Sequence, residues 1–320
     1  MKISLSIPTF NRPHQIISMV HSMSELGLLN IGFQVDIFDC STDEEVVEQL
    51  KNLSRLNGVY YHSSEKKISA SENYLRAITE INADYVLFCT DKDFFLADSL
   101  LAIRRFLADV EPDAVVCRNA PEKGKLDFNK LRNQIECSVK ACFLSIHPTG
   151  YIFRTSTFPK VYIEEIFRKS KRSPFIFDFL FAEMIPDGRL ATMDGHFFVQ
   201  EGKEESANFA SLSYRDINSY YFSIYNRSSQ ALDFLRYILG LKIDFFVKKI
   251  LQIMILYRLL AFVYICLPRD LKSDYFRRHY CIADVDLPKI LDRSELIVVK
   301  RSYPLEILFA RIMLLIRFRQ

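Results

Sequence analysis

No glycine-rich nucleotide fingerprint occurs in these 320 residues: G-x-G-x-x-G and G-x-x-x-x-G-K-[ST] are both absent. A dinucleotide-binding fingerprint and a P-loop are therefore unsupported. The seven cysteines are scattered, odd in number and without a C-x-x-C pair. That argues against a disulfide framework or zinc site and for reduced thiols in a cytoplasmic setting. The N-terminus, MKISLSIPTFNRP, has no long apolar h-region and no small-residue cleavage site, so no export signal is expected. An excess of one charge is also missing. With 42 Lys+Arg against 39 Asp+Glu the formal net charge is +3, too small to argue for a nucleic-acid partner. What is present is a chain 49% hydrophobic, enough for one large core and a smaller appended unit.

From Met1 to about Val116, β-type runs alternate with helix-periodic segments: KISLSIP with QIISMVHSMSEL, QVDIFD with EEVVEQLKNLSRL, GVYYH with SENYLRAI, and YVLFC with LADSLLAIRRFLADV. This alternation predicts an α/β fold with a sheet flanked by helices and ligands at the carboxyl ends of its strands. Residues 1–117 read as a nucleotide-binding half and 118–210 as an acceptor half, together one domain over 1–210. From 211 to 320 the composition shifts to Tyr, Phe, Leu, Ile and basic residues in long helical runs, a mainly helical C-terminal extension. Within it Ile250–Leu267 approaches the ~20 apolar residues of a membrane span. Arg258 at its middle instead favours a helix buried in that region or lying at a membrane surface. The basic, apolar tail LEILFARIMLLIRFRQ suits an anionic lipid surface, a homodimer contact or simple packing.

Three strand ends carry the chemistry. YVLFCTDKDFF closes an apolar strand with Asp91 and Asp93, spaced to converge on one hard cation if the backbone stays extended. The alternative is that Asp93 or Asp98 caps the next helix. In SIPTFNRP, Pro8 sets a turn, while Thr9 and Asn11 offer polar groups suited to a base or ribose. In DIFDCSTD, Ser41 or Thr42 reads as a helix N-cap, which leaves Asp39 free to accept a ring N–H such as that of a uracil.

Taken in order, SIPTFNRP, FDCSTD and SASENYLRAITEINADYVLFCTDKDFF resemble the opening of a family 2 nucleotide-sugar glycosyltransferase of the GT-A fold, of the type that builds bacterial polysaccharide or lipopolysaccharide. The resemblance implies a Rossmann-like mixed sheet. Under it Pro8, Thr9, Asn11 and Asp39 serve the nucleoside, Asn73 lies under the diphosphate, and Asp91 and Asp93 hold the donor and a divalent ion, Mn²⁺ or Mg²⁺. The sequence departs from the family at SEKKISASEN, where Lys66 or Lys67 replaces an expected basic contact, and at Lys92, which stands between the two acids.

The resemblance also implies a base for the acceptor hydroxyl. HPTGYIFR is similar to the acceptor-loop strand and PFIFDFLFAEMIPDG to the helix that follows, which makes Asp178 the candidate base and Glu183 the reserve. For Asp178 the plain alternative is an acid placed for the helix dipole. Asp194 and His196 are further metal or phosphate candidates, although a lone histidine is usually structural. The implied activity is inverting, metal-dependent transfer of a hexosyl or N-acetylhexosaminyl group, with UDP as the expected carrier, to a glycan or lipid-linked acceptor. The enzyme would be cytoplasmic or peripheral on the inner face of the membrane. A sugar-phosphate nucleotidylyltransferase, a non-catalytic membrane-associated scaffold and a retaining transferase are the alternatives.

Overall fold

The structure is a computed structural model and describes residues 1–64, 68, 70–119, 127–140, 148–158, 160–169, 176–186, 188–200, 222–279 and 282–318. Lys66 and Lys67 lie outside the described residues. The chain divides into two compact units. The first holds the sheet and its helices. The second gathers a helix at Gln134–Lys140 and the chain from residue 222 onward.

The first unit opens with β1 (Ile3–Thr9), α1 (His14–Glu25), β2 (Phe33–Asp39), α2 (Glu44–Asn52), β3 (Val59–Ser63), α3 (Ala70–Thr79) and β4 (Tyr85–Phe88). It continues with β5 (Asp93–Phe95), α4 (Ala97–Val110), β6 (Ala114–Asn119) and β7 (Asp127–Lys130); Gln134–Lys140 is α5. Then come β8 (Tyr151–Arg154), α6 (Lys160–Lys169), α7 (Phe177–Glu183), β9 (Leu190–Gly195) and β10 (Phe198–Gln200). Eight strands form one sheet in the order β3-β2-β1-β4-β8-β6-β9-β7, and β5 pairs with β10 in a second, two-stranded sheet. β1 to β4 are parallel, whereas β8 runs antiparallel between β4 and β6 and β7 runs antiparallel on β9. The mixed sheet expected from the sequence is therefore present, reached by inserting β8.

β1 and β2 are buried at every position, the pattern of central strands covered on both faces. Ile3, Leu5, Ile7, Val35 and Ile37 join Ile16, Met19, Val20, Leu100 and Ile103 in the main core. The polar positions of these strands are matched. Ser4 Oγ and Gln34 Nε2 donate to Asp36 Oδ2 at 2.5 and 2.7 Å, and Ser6 Oγ donates to the Ala77 carbonyl at 2.5 Å.

Pro8 is not in a turn; it is the penultimate residue of β1, in register with Phe38. Its consequence lies on the opposite edge. The Ser6 carbonyl, on the side of β1 that faces β4, accepts from the Cys89 N–H at 3.0 Å. Two residues on, Pro8 has no N–H to offer there, and the β1–β4 ladder stops at the Ser6–Phe88 pair. The chain beyond Phe88 is thus released as a loop at the carboxyl end of the sheet.

β8 is positioned by Gly150. The Gly150 N–H donates to the Phe88 carbonyl at 3.0 Å, and the Gly150 carbonyl accepts from the Cys117 N–H at 2.9 Å. Its φ is +98°, and a Cβ added there would lie 2.9 Å from the Cys117 carbonyl oxygen. Only glycine combines that conformation with that approach.

The second unit is helical, with α8 (Ile224–Gly240), α9 (Phe245–Ala261), α10 (Ser294–Ser302) and α11 (Pro304–Phe318). Ser223 caps α8 by accepting the Asn226 N–H, and Asp244 caps α9 by accepting the Phe246 and Val247 N–H groups. α9 runs on through a π-turn at Phe262–Cys266 to Asp270. Among the described residues, Phe245–Asp270 is the one helical run long and apolar enough to cross a membrane, and 56% of its most apolar window is buried within the structure.

Gly150→Ala should lower stability by about 1–3 kcal/mol, the cost of a strained backbone position, read as a reduced urea midpoint. An unchanged midpoint would show that β8 adapts without this glycine.

Candidate active site

Thr9 and Asp39 end neighbouring strands on the same rung of the sheet. Asp39 is buried; its Oδ1 accepts from the Ser41 N–H and its Oδ2 from the Tyr61 hydroxyl on β3, both at 2.8 Å. Asn11 has a left-handed φ of 54°, a conformation asparagine tolerates. Its Oδ1 accepts from the Thr42 and Asp43 N–H groups at 3.0 and 3.3 Å, and its own N–H donates to Ser41 Oγ at 2.8 Å. Asn11 therefore knits the β1 loop to the β2 loop. Ser41 and Thr42 do not cap α2. Asp43 does, accepting from the Glu45 and Val46 N–H groups.

Asp91 and Asp93 sit in the loop that Pro8 releases. Thr9 Oγ1 donates to Asp91 Oδ2 at 3.1 Å, and Arg12 Nη1 reaches Asp91 Oδ1 at 3.2 Å. One turn thus meets the other through a hydroxyl and a guanidinium. Asp93 is fully buried, and its Oδ2 accepts from the Thr90 and Thr149 hydroxyls. Asp91 and Lys92 occupy a turn, and Asp93 opens β5, so the three residues do not form the extended run expected from the sequence. The helix-cap alternative also falls, because the N-cap of α4 is Leu96, with no side-chain cap bond. Lys92 is half-buried in this turn.

Thr149 leads directly to the candidate base. Two residues later, Tyr151 donates its hydroxyl to Asp178 Oδ1 at 2.5 Å. Asp178 is buried in the first turn of α7, whose neighbour Phe177 packs against Phe88, Tyr151 and Phe153. The run from Thr149 to Tyr151, which leads into β8, therefore carries the partners of both Asp93 and Asp178. Glu183 closes the other end of α7 and accepts from the Tyr162 hydroxyl on α6.

Asp194 and His196 are not brought to this group. Asp194 pairs with Arg118 across β6 and β9, at 2.5 and 2.6 Å, in a two-bond ion pair that fastens the strands. His196 follows β9, and its carbonyl accepts from Ser99 Oγ at 2.9 Å. The β5–β10 register, Gln200 opposite Asp93 and Phe198 opposite Phe95, carries residue 196 past the far end of β5 from Asp93. At about 3.3 Å per residue, that separation is on the order of 10 Å.

Asn73 on α3 donates from Nδ2 to the Phe38 carbonyl at 2.8 Å and to Cys40 Sγ at 3.6 Å. This fixes its orientation and leaves Oδ1 buried with no partner among the described residues. An orphan acceptor suits a ligand O–H or N–H. It does not complement a phosphate oxygen, which is itself an acceptor.

The group carries a negative field. Burial, then Asp39 and Asp91, push the Cys40 thiol from 9.0 up to about 11, and burial with Asp39 pushes the Tyr61 phenol up as well. No group of three or more His, Cys, Asp or Glu poised for a metal exists among the described residues. Asp91 and Asp93 offer carboxylate oxygens from a turn and from the start of the strand that follows it, and the Asp91 side chain, 11% exposed, reaches solvent. Such a pair fits Mg²⁺ or Mn²⁺ completed by substrate phosphates and water. Arg12, Tyr61, Thr149 and Tyr151 escaped the sequence analysis. Arg12 stood inside SIPTFNRP, and Thr149 and Tyr151 inside HPTGYIFR, motifs singled out for other reasons.

The profile of Glycosyl transferase family 2 matches residues 4–176, more than half the chain and the whole run from β1 to the threshold of α7. The chain belongs to glycosyl transferase family 2. It is a glycosyltransferase, and the nucleotidylyltransferase and scaffold alternatives are set aside. Abequosyltransferase RfbV of Salmonella typhimurium strain LT2 is 28% identical over 136 residues, 42% of this chain and 40% of that relative. Among solved structures, S. aureus TarS 1–349 superposes with a TM-score of 0.56 at 16% identity, covering 98% of this chain and 87% of that one. The mannosyltransferase PcManGT from Pyrobaculum calidifontis, solved with GDP-Man and Mn²⁺, gives 0.51 at 12% identity over 97% and 86% of the two chains. At such identities these structures speak for the fold, an α/β GT-A architecture.

With its pKa near 11, Cys40 should alkylate with iodoacetamide far more slowly at pH 8 than a free thiol, since only the thiolate reacts, and accelerate as the pH climbs toward 11. Asp39→Asn should remove part of the negative field and speed the reaction at pH 8. Ordinary reactivity in the unaltered protein would mean that the field is weaker than the geometry implies.

Proposed function

We propose that this glycosyltransferase moves a sugar, with inversion, from a nucleotide diphosphate donor, UDP by preference, to a hydroxyl of a glycan or lipid-linked acceptor in surface polysaccharide synthesis. The observation that carries the reading is the gathering of Thr9, Asp39, Asn73, Asp91 and Asp93 at the carboxyl ends of β1, β2 and β4, with Asp178 tied to the same end through β8. TarS of this fold has been solved with UDP-GlcNAc, which supports a UDP-sugar donor.

In this reading Asp39 accepts the ring N–H of the base, its orientation held by Ser41 and Tyr61. Asn73 Oδ1 accepts from a nucleoside hydroxyl or N–H. Arg12, already against Asp91, lends positive charge toward the diphosphate. Asp91 and Asp93 would hold Mg²⁺ or Mn²⁺, which when bound offsets the charge gathering on the leaving diphosphate. Asp178 takes the acceptor proton as the acceptor oxygen bonds to the anomeric carbon and the carbon–oxygen bond to the diphosphate breaks. The Tyr151 hydroxyl orients the carboxylate for that task.

The decisive experiment incubates the protein with Mn²⁺ and UDP-, GDP-, CDP- and dTDP-sugars and follows release of the nucleoside diphosphate. Release from a UDP-sugar is expected, with loss on chelation and recovery on adding Mn²⁺; release from another donor alone would overturn the UDP assignment. Asp178→Asn should cut transfer by about 10²–10⁴-fold and leave donor affinity unchanged. Full turnover in that variant would move the base elsewhere, with Glu183 the next to test. Asp39→Asn should instead weaken donor binding by about 1–3 kcal/mol, as expected when a buried acceptor is replaced.

A further inference from the structure

Helix α11 carries apolar residues on both its inner and its outer faces. Ile307, Ala310 and Leu314 pack inward. Leu305, Leu308, Phe309, Ile312, Leu315 and Ile316 face outward, each between 43% and 67% exposed. A helix hydrophobic all round is normally covered on both faces, and a contiguous exposed patch of this kind marks an interaction surface.

The charges around it name the occupant. The acid of the described helix, Glu306, is turned inward and paired with Lys249 at 2.5 Å. Arg311 is exposed within the apolar stripe. Beside it, Tyr264 of the α9 extension, 41% exposed, is ringed by cations: Lys300 Nζ donates to its hydroxyl at 3.1 Å, and the Lys300 and Arg293 charges each lie 5.7 Å from its ring centre. Burial pushes the Tyr264 phenol up, but Lys300, Arg293 and Arg311 outweigh it and the net shift is downward. None of these three cations forms an ion pair with an acid among the described residues.

We propose that the outer face of α11, with Arg293, Lys300 and Arg311, docks on a lipid surface bearing anionic phosphate headgroups. The apolar stripe enters the acyl boundary while the cations and the Tyr264 hydroxyl meet the headgroups. A second copy of the chain fits less well, because a two-fold contact through this face would lay Arg311 and its cationic neighbours against themselves.

The test is co-sedimentation of the full chain with vesicles of phosphatidylcholine alone, or of phosphatidylcholine and phosphatidylglycerol in equal parts. Binding to the anionic vesicles and not to the neutral ones is expected, weakening as salt shortens the reach of the charges. Lys300→Ala and Arg311→Ala should each cost about fivefold in affinity. Leu308→Glu with Phe309→Glu should abolish binding, and since both positions are exposed the circular dichroism should not change. Equal binding to neutral vesicles, or to none, overturns the proposal. So does a dimer in solution that Phe309→Glu dissociates, which would give the face to a second copy. No sugar transfer is read, so failure here leaves the catalytic assignment standing.

Discussion

A carboxylate with no exposure must be met by donors, and the way Asp93 is met organises the functional end of the sheet. Its Oδ2 takes the hydroxyls of Thr90, just before it, and Thr149, more than fifty residues later. The second of these bonds fixes where the chain re-enters the sheet. With Thr149 committed to Asp93, the next residue must pass close to Cys117, which is why it is glycine. The one after is Tyr151, whose hydroxyl then finds Asp178. Desolvating a single charge thus specifies the antiparallel insertion of β8, and that insertion aligns an acid from the first half of the chain with one from the second.

The same end of the sheet is negative by construction. Three buried carboxylates, Asp39, Asp91 and Asp93, stand against the Arg12 guanidinium, and the Cys40 thiol and Tyr61 phenol are raised first by burial and then by the nearby carboxylates. A protein that keeps such an arrangement gives up some stability for it, since buried acids are rarely the most stable choice.

How much of this was legible in the residues depended on the range of the interaction. The β/α alternation from β1 to α4 followed from local periodicity, and Asp39 and Asp91 stood out because an acid at the end of an apolar strand lacks a local explanation. Caps depended on finer geometry: Asp43 caps α2 where Ser41 or Thr42 was expected, because Ser41 is drawn off to Asn11. The partners that finish the site, Tyr61 for Asp39, Thr149 for Asp93 and Tyr151 for Asp178, are separated from them by 22, 56 and 27 residues and follow no periodic rule. His196 and Asp194 were misplaced for the converse reason. Proximity in sequence to a strand end does not reveal a register that carries the one away and an arginine, Arg118, that claims the other.

Pro8 ends the β1–β4 pairing by subtraction. Most openings in a sheet are bought with a bulge, a strained residue or a charged wedge, each of which stores energy that fluctuations can release. Here a ring nitrogen without hydrogen simply leaves the strand edge one donor short, so the opening is the relaxed state of the backbone. It needs neither ligand nor loop movement to hold it apart, and thermal motion has nothing to zip closed at that rung.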